Sequence, residues 1–230
     1  PAVLVDINRL TDLKQLDLPV AATVESSDAA FIRMGAGVRQ RTLEDLETLD
    51  APQPLLRQAL RWVGHAQTRN RGTVGGSLVH ADPSAELPLA ALVLGATMHL
   101  QSQSQSKADG ERAVAAADFF LGPMFTAVGE TECLTHIDWP VWQVPLGSRL
   151  VSAFDEVAIR HGDFALASSA VQMILDADGV VQRASFGLGG VGGTPRTRRG
   201  GEARAARLPR QLARRGARLA ARDRPPHYRH

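Results

Sequence analysis

The residues best placed to do chemistry fall in one stretch, positions 69–88, which reads Arg-Asn-Arg-Gly-Thr-Val-Gly-Gly-Ser-Leu-Val-His-Ala-Asp-Pro-Ser-Ala-Glu-Leu-Pro. Gly72, Gly75 and Gly76 lie within five residues. Glycines spaced like this let a backbone take positive φ and let a ligand approach without meeting a Cβ. Thr73 and Ser77 flank the Val74-Gly75-Gly76 segment and add short hydroxyl donors. Successive N–H groups in such a turn can form a concave anion site of the size of a pyrophosphate. On the glycines alone, the commoner reading is a turn that simply joins two elements.

Other candidates are weaker. Asp82 and Glu86 stand one helical turn apart, a spacing compatible with acid–base chemistry. A simpler role explains Asp82: it caps a helix with Pro83 at the first helical position. His65, His80, His99, His136 and His161 are scattered, without HxH or HExxH spacing, so no metal site is expected. His80 sits beside the glycines and could touch a ligand or simply be bonded within its loop. Cys133 reads as a core residue in an apolar context.

The elements that must position this stretch follow from periodicity. Residues 3–7 form an apolar run expected to be a buried strand. Residues 31–38 form a second strand ending in glycines. Thr42 is placed to cap a helix through Leu43, Leu46 and Leu49, with Asp45 at the reciprocal position. Residues 54–63 have helical spacing with one buried face and deliver the chain to the glycines. Residues 90–94 continue the helix that follows. Strands are expected at 97–100, 112–114 and 130–137, with an exposed hairpin tip over 101–110 and a short helix and loop at 117–123. A second unit starts near Leu146. It is expected to hold a strand at 148–159, a helix capped by Gly162 to Ala165 and running through Ala170, Val171 and Ile174, a turn at 176–179, and a strand at 180–188.

Composition bounds the class. A chain of 230 residues can build one large or two small domains with real cores. No apolar run approaches the length needed to cross a bilayer, and no signal peptide is evident. The single cysteine excludes an internal disulfide and points to a reducing, cytoplasmic setting. The net charge of +2 hides an asymmetry. Up to Pro195 there are 14 Lys/Arg against 22 Asp/Glu; beyond it there are 12 Arg against Glu202 and Asp223.

Taken whole, residues 69–88 resemble the second FAD-binding motif of the flavoprotein (medium) subunit of molybdenum hydroxylases, the family of aerobic carbon monoxide dehydrogenases and xanthine dehydrogenases. That pattern reads R-N-x-G-T-[IV]-G-G-[NS]-[LI], then A-x-P-x-x-[DE]-L. Further on, the family's R-x-V-x-x-x-D-F-F-x-G and x-x-x-E-x-L-x-x-I match residues 112–122 and 129–137. Its F-x-E-x-x-x-R-x-x-D-F-A matches Phe154, Glu156, Arg160, Asp163, Phe164 and Ala165. Asp155 stands where some relatives carry Lys. The resemblance implies an α+β fold: the second lobe of a two-lobed PCMH-type FAD-binding domain over residues 1–145, then a small α/β C-terminal domain of the flavoprotein type over 146–195. It implies FAD held by Thr73, Val74, Gly75, Gly76 and Ser77 at the diphosphate, by the Glu86 carboxylate, and by Leu134 against the isoalloxazine. It implies no catalytic side chain on this chain. A large molybdopterin subunit and a small subunit with [2Fe–2S] clusters are the implied partners, and FAD would pass their electrons to an external acceptor. A stand-alone flavin oxidoreductase of the same fold is the alternative enzyme.

Two departures qualify the resemblance. The family's first FAD motif, an A-G-G-x-x-[LI] loop, does not occur in this sequence, which therefore reads as truncated by one subdomain at its amino end. Residues 196–230 are rich in Arg, Ala, Gly and Pro and contain no Val, Ile, Phe or Lys. Three readings of that tail stand: an out-of-frame translation of a GC-rich gene, a nucleic-acid-binding arm, and a solvated basic helix. The abrupt end of the similarity favours the first, so neither packing of the tail nor a nucleic-acid partner is expected.

Overall fold

The computed structural model describes residues 3–18, 30–103, 110–160 and 162–198. The chain runs through β1 (Leu16–Asp17), β2 (Phe31–Gly35), α1 (Gln40–Glu44), a 3-10 turn (Glu47–Leu49), α2 (Pro54–Leu60), α3 (Ala66–Arg71), α4 (Val74–His80) and α5 (Glu86–Leu94). It continues through β3 (Thr97–Ser102), β4 (Glu111–Ala115), α6 (Ala116–Phe119), β5 (Phe120–Gly122), β6 (Phe125–Thr126) and β7 (Glu132–Pro140). Last come β8 (Arg149–Val157), β9 (Ala167–Leu175), β10 (Val181–Gly189) and β11 (Arg196–Arg198). Five strands form an antiparallel sheet in the order β1-β2-β7-β3-β4, and four form a second in the order β11-β10-β9-β8. This is the expected α+β class.

One helix joins the two sheets. All nine residues of α5, Glu-Leu-Pro-Leu-Ala-Ala-Leu-Val-Leu, are buried. A helix apolar all round has no face for water and belongs in the middle of a core. It packs on α2, α4, α6 and β7 on one side and on β9, β10 and β11 on the other. Gly187 on β10 permits the close approach: a Cβ there would stand 2.6 Å from Val93 Cγ2 and 2.8 Å from Leu89 Cδ1. Ser185 Oγ donates to the Val93 carbonyl at 2.7 Å. Phe154 and Ala170 of the second sheet therefore share one core with Ile32, Leu60, Leu78, Phe119 and Trp139 of the first unit.

Several elements differ from expectation. Residues 3–7 are exposed and form no strand: Val3 and Leu4 are 74% and 89% accessible. An apolar run becomes a strand only with a partner, and this one has none among the described residues. The helix expected from Thr42 is instead α1, with Arg39 at its N-cap, followed by the separate 3-10 turn. Tertiary bonds start it early: Gln40 N–H donates to the Gly72 carbonyl at 3.0 Å, and Arg39 pairs with Thr73 as a β-bridge. The helix expected through Ala170, Val171 and Ile174 is strand β9. Its buried Ser168, Ala170, Gln172 and Ile174 alternate with more exposed residues, a period of two that β8 and β10 enforce from either side. The tail contributes β11, which carries the second sheet three residues past Pro195 through Arg196↔Leu188, Thr197↔Gly187 and Arg198↔Phe186. The tip of the expected hairpin (104–109) and residues 199–230 lie outside the described residues.

Truncating Leu89 to Ala opens a void between α5 and both neighbours and is expected to cost about 2–5 kcal/mol. Gly187→Ala forces α5 off the second sheet at about 1–3 kcal/mol. Because the core is shared, chemical denaturation of both variants should show one transition at a lower midpoint, followed by the fluorescence of Trp62, Trp139 and Trp142.

Candidate functional site

The glycine stretch is sewn to the end of β2. Val74 N–H donates to the Val38 carbonyl and Gly75 N–H to the Ala36 carbonyl, both at 2.9 Å. Thr73 is the N-cap of α4: its Oγ1 accepts from Gly76 N–H at 3.0 Å. Ser77 N–H donates to the Thr73 carbonyl at 3.2 Å. All four amides expected to form an anion nest are thus already bonded within the protein. None of Gly72, Gly75 and Gly76 has positive φ. These glycines serve close packing. A Cβ at Gly75 would press into the Cβ of Ala36 and stand 2.8 Å from its Cα and carbonyl oxygen. A Cβ at Gly72 would stand 2.5 Å from Gln40 Oε1. Gly76 is different: it is exposed, and an added Cβ would meet only Thr73 Oγ1 within 4 Å.

What the stretch offers outward is therefore specific. Thr73 spends an oxygen lone pair on the cap and keeps its hydroxyl hydrogen. The Ser77 hydroxyl is half-buried and makes no hydrogen bond among the described residues. Between them lies the bare surface of Gly76, while Val74 and Gly75 are buried and anchor the turn. This set fits a diphosphate through two hydroxyl donors and a side-chain-free approach, with the backbone as scaffold.

Charged neighbours brace it. Arg69 is 11% exposed and bonds Glu44 through Nε at 2.7 Å and a terminal nitrogen at 3.0 Å. Its other terminal nitrogen donates to the carbonyls of Val63 and Gly64 at 2.9 and 3.0 Å. Arg39 donates to the Arg71 carbonyl and to Asn8 Oδ1. Asp82 does not cap α5 as expected. Its Oδ1 accepts from Ser84 N–H at 2.8 Å in a local turn, and the N-cap of α5 is Ala85. His80 is exposed at the end of α4, which closes on Ala81 in the left-handed region at φ 51°.

The remaining expected site residues lie on neighbouring elements, since α4 packs on both α5 and β7. Glu86 opens α5 and is 6% exposed. Burial, with the nearby Glu156 and Asp82 charges, outweighs its own N–H and Arg69 and pushes its carboxyl up to about 7. Glu156, buried on β8 with its Oε2 unpartnered among the described residues, is also pushed up to about 7, by burial first and then by Asp155. Leu134 lies in β7 opposite Leu100 and is 4% exposed, with most of its side chain in the core.

Sequence spacing missed one cluster. His99 and His136 are register partners on β3 and β7, and their rings stack with centroids 4.1 Å apart. Asp138 accepts from His99 Nε2 at 3.0 Å and from Arg33 at 2.8 and 2.9 Å. Burial first, then the His99 and Arg33 charges, hold the His136 ring below its ordinary value. Strand alternation could place each residue on a face; that β3 and β7 are neighbours is a tertiary fact no local pattern contains. Cys133, expected in the core, is exposed at the edge of this face. His161 lies outside the described residues.

Two outcomes are expected. Gly75→Ala should destabilise the chain by about 1–3 kcal/mol, because the α4–Ala36 contact cannot widen without breaking two backbone bonds; Gly76→Ala should stay within about 1 kcal/mol in the same thermal scan, its one close neighbour being a hydroxyl. Glu86 gives the second. An unfolded chain releases this proton near 4.5 and the folded chain near 7, so across that window the unfolded state binds fewer protons. Stability therefore falls as pH rises from about 4.5 to 7, by roughly 2–3 kcal/mol from Glu86. Glu86→Gln should flatten that part of the pH dependence in urea titrations.

Comparisons with known proteins show the family. The family described as "FAD binding domain in molybdopterin dehydrogenase" matches residues 1–142. The chain is 37% identical, over 84% of its length and 60% of the relative's, to the 6-hydroxypseudooxynicotine dehydrogenase complex subunit alpha of Paenarthrobacter nicotinovorans. It is 34% identical, over 85% of its length and 60% of the relative's, to the caffeine dehydrogenase subunit beta of Pseudomonas sp. (strain CBB1). Among solved structures, quinoline 2-oxidoreductase from Pseudomonas putida 86 superposes with a TM-score of 0.75 at 31% identity, covering 97% of this chain and 72% of that one. Carbon monoxide dehydrogenase from Hydrogenophaga pseudoflava superposes with a TM-score of 0.70 at 28% identity, over 84% and 60%. The chain spans about three fifths of the length of these curated relatives. With the family match running from residue 1 to residue 142, well over half of the 230, the chain belongs to the FAD-binding domain family of the molybdopterin dehydrogenases.

Proposed function

We propose that this chain binds FAD as part of the flavoprotein (medium) subunit of a molybdenum hydroxylase, an oxidoreductase complex in which it is not competent alone. The observation that carries the reading is the capped start of α4, where Thr73 and Ser77 hydroxyls flank a bare, exposed Gly76 on a turn fixed to β2. In the complex, a large molybdopterin subunit oxidises the substrate and a small [2Fe–2S] subunit relays the electrons to this chain. No helix among the described residues is long and apolar enough to cross a membrane. A reducing cytoplasm suits its one exposed thiol.

When bound, the flavin supplies the redox chemistry, taking electrons from one-electron clusters and giving them to an external acceptor. The chain's own work is to bind and orient. Thr73 and Ser77 donate their hydroxyl hydrogens to the diphosphate. Val74 and Gly75 hold those hydroxyls at fixed spacing through their bonds to Val38 and Ala36. Glu86, with a carboxyl near 7, holds its proton in part of the population and can donate to or accept from a cofactor hydroxyl. Leu134 gives the ring system the small apolar edge it leaves exposed on β7.

The grip should be weak in this chain, since hydroxyl bonds to a charged group contribute about 1.5–3 kcal/mol each and only two are present. FAD titrated into the chain should quench flavin fluorescence with a Kd in the micromolar range or weaker. Gly76→Val, which fills the approach with methyls, should weaken binding by about two orders of magnitude while the circular dichroism stays unchanged. Equal affinity in parent and variant, or no binding by the parent at millimolar FAD, contradicts the assignment.

A further inference from the structure

The face of the five-stranded sheet turned away from the helices carries a polar cluster distinct from the residues assigned above to the flavin. On β3, Met98 and Leu100 point to the core and His99 away from it; on β7, Ile137 and Trp139 are fully buried and Asp138 alternates with them. Pairing of His99 with His136, and of Thr97 with Asp138, brings the two histidines and the carboxylate together. Each can offer one ligand atom, and these atoms lie within 4.8 Å of one another.

The hydrogen bonds around the rings fix which nitrogens carry lone pairs. Thr135 Oγ1 lies 3.1 Å from the His99 carbonyl, which can only accept, so the one hydroxyl hydrogen is spent there. Thr135 Oγ1 also lies 3.0 Å from His136 Nδ1 and must accept from it. His136 Nδ1 therefore carries the ring hydrogen, and Nε2 is left with a bare lone pair. That atom is buried and has no hydrogen-bond partner among the described residues. A buried lone pair without a donor is a cost the fold leaves open. His99 holds its hydrogen on the other nitrogen: Nε2 donates to Asp138 Oδ2 at 3.0 Å, and Nδ1 faces Glu111 Oε1 at 3.5 Å. In each ring, Nδ1 has an oxygen to orient it and Nε2 faces the cluster. Histidine ligands of metal ions are oriented by partners of this kind.

We propose that His99 Nε2, His136 Nε2 and Asp138 Oδ2 form a site for a divalent transition-metal ion of the zinc class, with water as a further ligand. Two imidazoles and one carboxylate suit Zn²⁺ or Co²⁺, and not Ca²⁺ or Mg²⁺, which take oxygen. The ion replaces the hydrogen between His99 Nε2 and Asp138 Oδ2, and that hydrogen moves to His99 Nδ1, where Glu111 Oε1 accepts it. Ligand atoms around four-coordinate zinc stand roughly 3.3 Å apart, and the two rings now lie stacked, so metal binding requires the His136 ring to leave the stack and turn its plane until its Nε2 lone pair meets that of His99. Arg33 takes both carboxylate oxygens from the β2 side but leaves Oδ2 a further lone pair, now used by His99. An ion here staples β3 to β7 in the middle of the sheet.

The whole chain, stripped with a chelator, is dialysed against Zn²⁺ alone and the bound metal is measured, with visible absorption of the Co²⁺ form as second readout. The parent should take up about one equivalent more than the double variant His99→Gln, His136→Gln, and its Co²⁺ form should show the intense bands of four-coordinate nitrogen–oxygen ligation. Cys133→Ser should bind like the parent, which separates this site from the nearby exposed thiol. Glu111→Gln keeps every ligand and loses only the carboxylate facing His99 Nδ1; it should weaken uptake by about tenfold, and it serves if the double variant does not fold. Equal uptake by parent and double variant, or unchanged affinity in Glu111→Gln, overturns the proposal.

Discussion

The contact of Gly75 with Ala36 sets the rest of the candidate site. There a helix start and a strand end meet with no side chain between them, and the bonds from Val74 and Gly75 to Val38 and Ala36 hold them there. These bonds consume the amides that a glycine-rich turn would otherwise present to an anion. The outward face is left with what the backbone cannot supply: two hydroxyls and a gap where Gly76 has no side chain. The glycines of the motif thus divide their work. Gly72 and Gly75 make room inside, and Gly76 makes room outside.

The second constraint is the burial of α5. Its sequence has no polar face, so it must be covered all round, and it needs both sheets to do so. That buries Glu86, its first residue, near Glu156, which is less deeply buried on β8. Burial pushes both carboxyls up to about 7, and Arg69 offsets this only weakly, and only at Glu86. Arg69 itself is committed elsewhere. Its bidentate bond to Glu44 and its bonds to the Val63 and Gly64 carbonyls fix α3 just before the glycines. Breaking so buried a pair leaves an uncompensated charge, a cost that surface pairs such as Arg160–Asp163 do not carry.

Much of this was legible in the residues, and the limits have physical causes. The α2 helix leading toward the glycine stretch, the β3–β4 and β7 strands and the α+β class follow from spacing and from a motif twenty residues long. How the amides of that stretch are used was not legible, because their acceptors, Ala36 and Val38, are remote in sequence. Ala170, Val171 and Ile174 fit a helix and a strand equally; the alternation of Ser168, Ala170, Gln172 and Ile174 decides for a strand, and two neighbouring strands enforce it. Residues 3–7 are apolar and strand-like, yet composition cannot provide a pairing partner. The histidines looked scattered because 37 residues separate His99 from His136, a distance that sheet pairing removes.

On the proposed reading, the Thr73 and Ser77 hydroxyls, and not the glycine amides, receive the FAD diphosphate. A structure of the chain with FAD tests it most directly. Phosphate oxygens should lie within about 3 Å of Thr73 Oγ1 and Ser77 Oγ, with Val74, Gly75 and Gly76 keeping their present partners. A diphosphate bonded to the amides of Gly75 and Gly76, with the Thr73 cap and the Ala36 bond broken, would contradict it.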